Sequence, residues 1–439
     1  MMDGLYRDLA LESLEFGRDA DPETGLIVND PECAVNLLPI PVRKSSRVRP
    51  ASEGIFIRVL FYRPEIPPEL IHTYCYQPEA NWSTYCAELS DREWTTGERR
   101  LTEDGFIRVA VKPAESGKGC GDCFSIEEPL AADAPAPEWM EACCSDLVRR
   151  VRASRREGDL CLLLLSDTHY TCGCIWPDTV RSLRMAAERL HPDGLIHLGD
   201  FTDGLLPEKY TRRIAQRILA ELKTIAEPVW CCIGNHDRNY FRGNPGRISG
   251  EECARLYLQR ETPWFYADCP QSRLRMLFLD SFDPEEKERY GFPMKEVRWV
   301  RRTLRTTPKG YRVLIFSHVT PLASLHVWSD TIRNESRMLR VVERFHARRK
   351  GAVLGWIHGH SHADQIHTGR AFPVIGIGCS KLEDFPEHKP ADSATWKREQ
   401  HTETQELWDV LLVHRENGGL DLLRFGAGED RHMEGKTET

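Results

Sequence analysis

Residues 160–169 read Leu160-Cys161-Leu162-Leu163-Leu164-Leu165-Ser166-Asp167-Thr168-His169. An apolar run of strand length that breaks into a turn bearing a carboxylate and an imidazole is the pattern of a buried strand with functional groups at its carboxyl end. The pattern recurs four times. Leu195 and Ile196 lead into Gly199-Asp200, and Val229, Cys231 and Ile233 lead into Gly234-Asn235-His236-Asp237. Val313, Leu314 and Ile315 lead into Ser317-His318, and Val353, Leu354 and Ile357 into Gly359-His360-Ser361-His362. In open α/β sheets, ligands collect outside the carboxyl ends of the strands. Five strand ends offering only carboxylate, imidazole and carboxamide to one edge point to a metal centre.

The donor set indicates what such a centre handles. One carboxylate can bridge two cations held about 3.5–4 Å apart, and Asp200 is the candidate. Neutral imidazoles and an amide oxygen complete the coordination without adding enough negative charge to repel a phosphate. The expected substrate is therefore a small phosphate ester. Mixed nitrogen and oxygen ligation fits two divalent or trivalent ions, with Mn or Fe favoured and Zn compatible.

The ordered set Asp167-Thr168-His169, Gly199-Asp200-Phe201-Thr202-Asp203-Gly204, Gly234-Asn235-His236-Asp237, Ser317-His318 and Gly359-His360-Ser361-His362 resembles the calcineurin-like metallophosphoesterase superfamily over roughly Leu160 to Phe425. The resemblance implies a four-layer αββα sandwich with two mixed β-sheets and a dinuclear centre at their edge. It implies one metal held by Asp167, His169, Asp200 and His362, and a second by Asp200, Asn235, His318 and His360. It also implies that a metal-bridging hydroxide attacks phosphorus in line with the leaving group. His236 resembles the family histidine that steadies the transition state or protonates the departing oxygen, and Asp203 resembles the carboxylate that orients it. Asp203 stands where purple acid phosphatases carry a tyrosine ligand. Asp237 stands where protein Ser/Thr phosphatases usually carry glutamate, and their arginine landmarks have no obvious match. Bacterial phosphodiesterases with Gly-Asp-x-Thr-Asp are nearest in pattern. The reading is a metal-dependent phosphodiesterase; the alternatives are a phosphomonoesterase, which needs extra positive charge for a dianion, and a non-catalytic metal-binding scaffold.

Outward from these motifs, periodicity and punctuation divide the chain. Residues 1–46 are acidic and turn-rich and are expected to be irregular. From 47 to 130, Ile55, Ile57 and Val59 alternate with Phe56, Arg58 and Leu60, and Ile107, Val109 and Val111 alternate with Arg108, Ala110 and Lys112. This predicts a small antiparallel β-sandwich with one wetter face. Residues 131–158 read as a Pro/Ala linker and a helix, 159–426 as the catalytic domain, and 427–439 as a flexible tail. Helices are predicted near Asp178–Leu190, Glu208–Ala226, Gly250–Gln259, Lys295–Thr306 and Glu335–Arg349. Segments near Gln365–His367, Pro373–Ile377, Leu407–His414 and Leu420–Phe425 read as strands of a second sheet.

The chain has 439 residues, with 59 basic and 67 acidic side chains and a net charge of -8, so charge alone gives no case for nucleic-acid binding. The N-terminus lacks a basic region followed by an apolar one, and apolar stretches are strand-sized, so neither a secretory signal nor a membrane span is expected. Together with 15 cysteines, an odd count, this predicts a cytoplasmic protein with reduced thiols. Several residues have competing readings. Trp82, Tyr85 and Trp94 could stack a sugar, but core packing is the simpler role. Cys120 and Cys123 with the adjacent pair Cys143-Cys144 have poor spacing for a structural zinc. Cys172 and Cys174 read as loop residues, and His197 and His358 as structural. Arg238, Tyr240 and Arg242 either meet the phosphate or pair with carboxylates.

Overall fold

The computed structural model describes residues 14–36, 39–42, 44–63, 89–113, 123–127, 135–170, 174–204, 208–240, 244, 246–383, 389–390, 392–394 and 396–435. Two compact units emerge, one formed mainly by Met1–Asp133 and the other by most of the chain from Ala134 onward. Among the described residues, no helix is long and apolar enough to cross a membrane.

In the first unit, eight strands form two antiparallel sheets: β1 (Leu14–Ala20), β2 (Ile27–Asn36), β3 (Ile40–Val42), β4 (Arg47–Pro50), β5 (Ile55–Tyr62), β6 (Arg99–Arg100), β7 (Gly105–Pro113) and β8 (Phe124–Glu127). One sheet runs β1-β2-β7-β3 with β5 also on β7, and the other runs β6-β4-β8. Two expectations are corrected here. Among the described residues before 47, 14–20, 27–36 and 40–42 are not irregular, because β1 to β3 occupy them. The arginines of β5 and β7 do not face water either: Arg58 and Arg108 are buried. Arg58 meets Asp19 of β1 at 2.5 Å, and Arg108 donates to the Gly25 carbonyl at 2.6 Å. The acidic N-terminal stretch covers the face that alternation alone assigns to solvent. Trp94 is overlain by the cations of Arg58 and Lys112, each 4.5 Å from the ring centroid. Trp82 and Tyr85 lie outside the described residues.

The second unit is a four-layer sandwich, as expected. Leu162 and Leu164 of β9 (Leu160–Leu165) face inward with Ile196 of β10 (Gly194–His197), Met276 and Phe278 of β13 (Leu274–Leu279), Leu314 and Phe316 of β14 (Arg312–Ser317) and Ile357 of β15 (Val353–His358). These residues form the core between the sheets. Because strand side chains alternate, Leu277, Val313, Ile315 and Trp356 face the other way and pack on α4 (Met294–Arg305) and α5 (Glu335–Arg348). On the opposite outer face lie α1 (Glu138–Ser154), α2 (Trp176–Leu190) and α3 (Glu208–Ile225), with α2 tied to the sheet by the 3.0 Å bond from Trp408 Nε1 to Ser182 Oγ.

The strand orders are β11-β10-β9-β18-β19-β20 and β12-β13-β14-β15-β17-β16, with β11 at Val229–Cys231, β12 at Phe265–Cys269, β16 at Gln365–His367, β17 at Val374–Gly376, β18 at Leu407–Val413, β19 at Leu420–Gly426 and β20 at Arg431–Met433. Strands β9, β10 and β11 are parallel, as are β13, β14, β15 and β17, and antiparallel strands flank both sets. The four late segments therefore do not share one sheet. Strands β16 and β17 join the sheet of β15, while β18 crosses to lie beside β9 with Leu411 opposite Leu162. Each pair carries the apolar alternation its neighbour needs, and periodicity does not state the neighbour.

The expected flexible tail contains β20, and Arg431 within it pairs with Asp364 and Asp409. Arg424 of β19 is the centre of this cluster, 2.9 Å from Asp409 and 2.8 Å from Asp364. Asp364 follows the last histidine motif by two residues, so the cluster anchors that motif's loop. Removing one partner of a buried ion pair strands the other charge, at a cost of about 3–5 kcal/mol. Arg424→Ala should lower unfolding stability by that amount in a denaturant titration, whereas an exposed ion-pair variant such as Arg92→Ala should change it by less than about 1 kcal/mol.

Candidate metal centre

The five turns lie at the carboxyl ends of β9, β10, β11, β14 and β15 and are stitched to one another. The backbone amide of Asp167 donates to the Gly199 carbonyl at 3.0 Å, that of His169 to Asp200 at 2.9 Å, and that of Gly359 to His318 at 3.0 Å. Asp237 clamps two turns at once: its carboxylate accepts from the amides of Asp200 at 2.8 Å, Phe201 at 2.9 Å and Gly234 at 2.8 Å. Burial and the nearby Asp200 push its pKa up to about 6. Asp167, His169, Asp200, His360 and His362 all have positive φ, from 40° to 66°. Left-handed backbone costs a non-glycine residue on the order of 1 kcal/mol, and such strain concentrates at functional sites. Close approach explains two motif glycines. A Cβ on Gly359 would sit 2.0 Å from Ser166 Oγ, and one on Gly234 would sit 2.0 Å from Asp200 Oδ1.

All seven residues expected to hold metal converge. Asp167, His169 and His362 form one group and Asp200, His318 and His360 a second, with the donor atoms of each group within 4.8 Å of one another. His169 Nε2 and His362 Nε2 are 3.0 Å apart, and Asp167 Oδ1 is 3.3 Å from His362 Nε2. Asn235 Oδ1 is 3.0 Å from His318 Nε2. Asp200 Oδ2 stands between the groups, 3.1 Å from His318 Nε2 and 3.6 Å from His169 Nε2. These separations match neighbouring donors on one cation, and all seven residues are buried or nearly so.

The electrostatics of the cluster have simple causes. Burial alone would lower the pKa of His169, but hydrogen bonds to Asp167 and Asp203 raise it to about 9. Burial works against ionisation of Asp167 and Asp200 as well, yet the surrounding histidines hold both below the usual carboxylate range. His236 goes the other way, because burial dominates and pushes it down to about 4. Its Nδ1 is 2.7 Å from the backbone carbonyl of Asp203. The Asp203 carboxylate lies instead 3.3 Å from His169 Nδ1 and 3.5 Å from Lys381 Nζ. Asp203 thus meets His236 through its main chain and His169 through its side chain.

Of the residues with competing readings, His197 stacks on Phe201 at 3.7 Å and accepts from the Gly199 amide, and His358 contacts the Gly359 carbonyl, so both are structural. Arg238 is buried and pairs with Asp280 at 2.9 Å. Tyr240 packs against Phe282, with ring centroids 5.0 Å apart. Cys143 and Cys144 sit on α1, and no metal-competent group among the described residues includes them. Cys172, Arg242 and Cys120 lie outside the described residues. Sequence reading missed His326, whose Nε2 is 3.1 Å from His360 Nε2, and Glu383, which is 2.6 Å from His362 Nδ1. Both follow strands β14 and β17 that end at the same edge. Polar residues a few places beyond every such strand, rather than only those in short motifs, were the usable signal.

The second unit is thus a two-sheet αββα sandwich with His/Asp clusters at its strand ends. The family model described as Calcineurin-like phosphoesterase matches residues 162–364, and over that segment the chain belongs to this family. Among solved structures, the chain is similar to a dimetal phosphatase from Danio rerio at 16% identity, covering 63% of this chain and 99% of that one with a TM-score of 0.47. It is similar to GAP50, described as the anchor in the inner membrane complex of Plasmodium, at 13% identity, covering 64% and 90% with a TM-score of 0.42. It is also similar to PhoD at 9% identity, covering 97% and 90% with a TM-score of 0.38. No curated protein matches the chain.

Proposed function

We propose that the protein is a dinuclear metal-dependent phosphodiesterase. The observation that carries this reading is Asp200 Oδ2 facing a histidine from each of two donor groups. Asp167, His169, Asp200 and His362 would hold one cation, and Asp200, Asn235, His318 and His360 the other. Bound there, two cations would neutralise charge developing on the phosphoryl oxygens and acidify the attacking water.

The chain's own residues do the rest. His318 Nδ1 is 3.0 Å from the Leu198 carbonyl, which fixes its Nε2 toward Asp200 and Asn235. His236 packs edge-on to His169 with ring centroids 4.5 Å apart. With its Nδ1–H committed to the Asp203 carbonyl, Nε2 is the atom that exchanges a proton with the ester oxygen. Asp203 and Lys381 hold the outer nitrogen of His169.

Charge favours a diester over a monoester. A monoester dianion calls for free cationic side chains around the phosphate. Among the described residues, Arg238, Lys381 and Lys389 are each engaged by a carboxylate: Asp280, Asp203 and Glu383. Those three side chains are thus already neutralised, which suits a singly charged diester better than a dianion. A chelator should abolish hydrolysis and divalent metal should restore it. On a matched panel, the reconstituted protein should turn over the aryl phosphodiester faster than the monoester. Full activity in strong chelator, or a reversed preference, contradicts the proposal.

A further inference from the structure

The segment that follows β17 carries no recognised motif, yet it is built into the back of the metal centre. The amide of Ser380 donates to the Ser166 carbonyl at 2.8 Å and that of Lys381 to the Asp167 carbonyl at 3.1 Å, so the segment is pinned to the first motif. Arg398 pins it again from the other side, donating to the carbonyls of Cys379 at 2.8 Å and Lys381 at 2.6 Å. Two residues past Lys381 stands Glu383. Its Oε1 is 2.6 Å from His362 Nδ1. Lys389 Nζ is 3.3 Å from the same carboxylate oxygen and 3.1 Å from the His362 carbonyl, so one ammonium holds both the carboxylate and the backbone that carries the imidazole. The side chains of Glu383 and Lys389 are 7% and 9% exposed, which leaves them little access to solvent.

An imidazole donates from only one nitrogen while binding a cation through the other, so its outer partner fixes both tautomer and ring orientation. His362 Nε2 faces Asp167 Oδ1 and His169 Nε2, and Nδ1 faces Glu383. We infer that Glu383, held by Lys389, is a positioning residue that fixes His362 as a cation ligand. This rests on the two-cation reading above.

Two other roles for Glu383 fit less well. As a cation ligand beside His362 and Cys379 it would stand about 3 Å or more from its neighbouring donors, as tetrahedral bonds near 2.1 Å require. The observed 2.6 Å is a charge-assisted hydrogen bond. As a substrate-facing acid it would need room on its free side. The cavity there, lined by Cys379, Lys389, Trp396 and Arg398, holds about 20 Å³, space for a single water.

The experiment is a cation titration of the full-length protein, metal-free at the start, with Mn²⁺ or Zn²⁺ against a competing chelator. Wild type, Glu383→Gln and Glu383→Ala are compared, with the unfolding midpoint of each metal-free protein as a check on folding. The expected result is two cations per wild-type chain, with one of the two bound about 10–100-fold more weakly in Glu383→Ala and the other unchanged. Glu383→Gln, which keeps an acceptor oxygen without the charge, should fall between them and covers the case in which the alanine variant does not fold. Two cations bound with wild-type affinity by either folded variant overturn the role of Glu383 and leave the two-cation reading standing. A wild-type chain that binds no cation overturns both.

Discussion

Replacing Asp200 with asparagine should leave the fold intact, reduce bound metal below two ions per chain and lower phosphodiester turnover by more than about a thousandfold. Removing one preorganised electrostatic group at a reaction centre already costs about 10²–10³ in rate, and this substitution also removes the carboxylate on which both donor groups converge. Asparagine is the informative replacement because it keeps the shape and tolerates the positive φ of 57° at this position. Its side-chain oxygen can still accept from the His236 amide, which Asp200 Oδ1 does at 2.7 Å. What disappears is charge. Metal content and turnover measured on the same preparation decide the matter, and two ions retained with wild-type turnover sink the bridging role.

The second large effect belongs to His236. His236→Ala should keep both cations and lose about 10²–10⁴ in kcat, the range general acid–base groups contribute. The separation from the first variant is the point: His236 touches the cluster ring-to-ring and is not among the seven proposed ligands. Burial pushes its pKa down to about 4, so the imidazole is neutral at pH 7 in the substrate-free protein. Protonation on the way to the leaving oxygen needs the negative charge of a bound phosphate to raise that value. Unchanged kcat in His236→Ala with full metal content rules out the proton-transfer role.

The catalytic unit was legible because its motifs are local. An apolar run followed by Asp167-Thr168-His169 or Gly359-His360-Ser361-His362 announces both the strand and what it carries. Partners distant in sequence were not. Nothing in Leu407–Val413 says that it lies beside β9 rather than next to β16 and β17. Arg58 and Arg108 looked like a wet face because the acids and carbonyls that satisfy them come from a stretch with no periodicity of its own. At the site, the ligand candidates could be read from residue type and order. The outer partners Glu383, Lys389 and His326 lie outside the short motifs, and although they follow strands that end at the same edge, no fixed spacing ties them to the imidazole or carboxylate they meet.

The crossing of β18 to the side of β9 bears on how the protein is made. Leu162 has its inter-strand neighbour Leu411 supplied far later in the chain, so the leucine-rich strand that bears the first motif has one flank unpaired until residues 407–413 have been made. A ribosome stalled before residue 407 would hold a chain with all seven donor residues made and the sheet beneath them unfinished. Until β18 and β19 arrive, an apolar strand edge beneath the donor residues stays open, and an open edge of that kind is prone to pair with other chains.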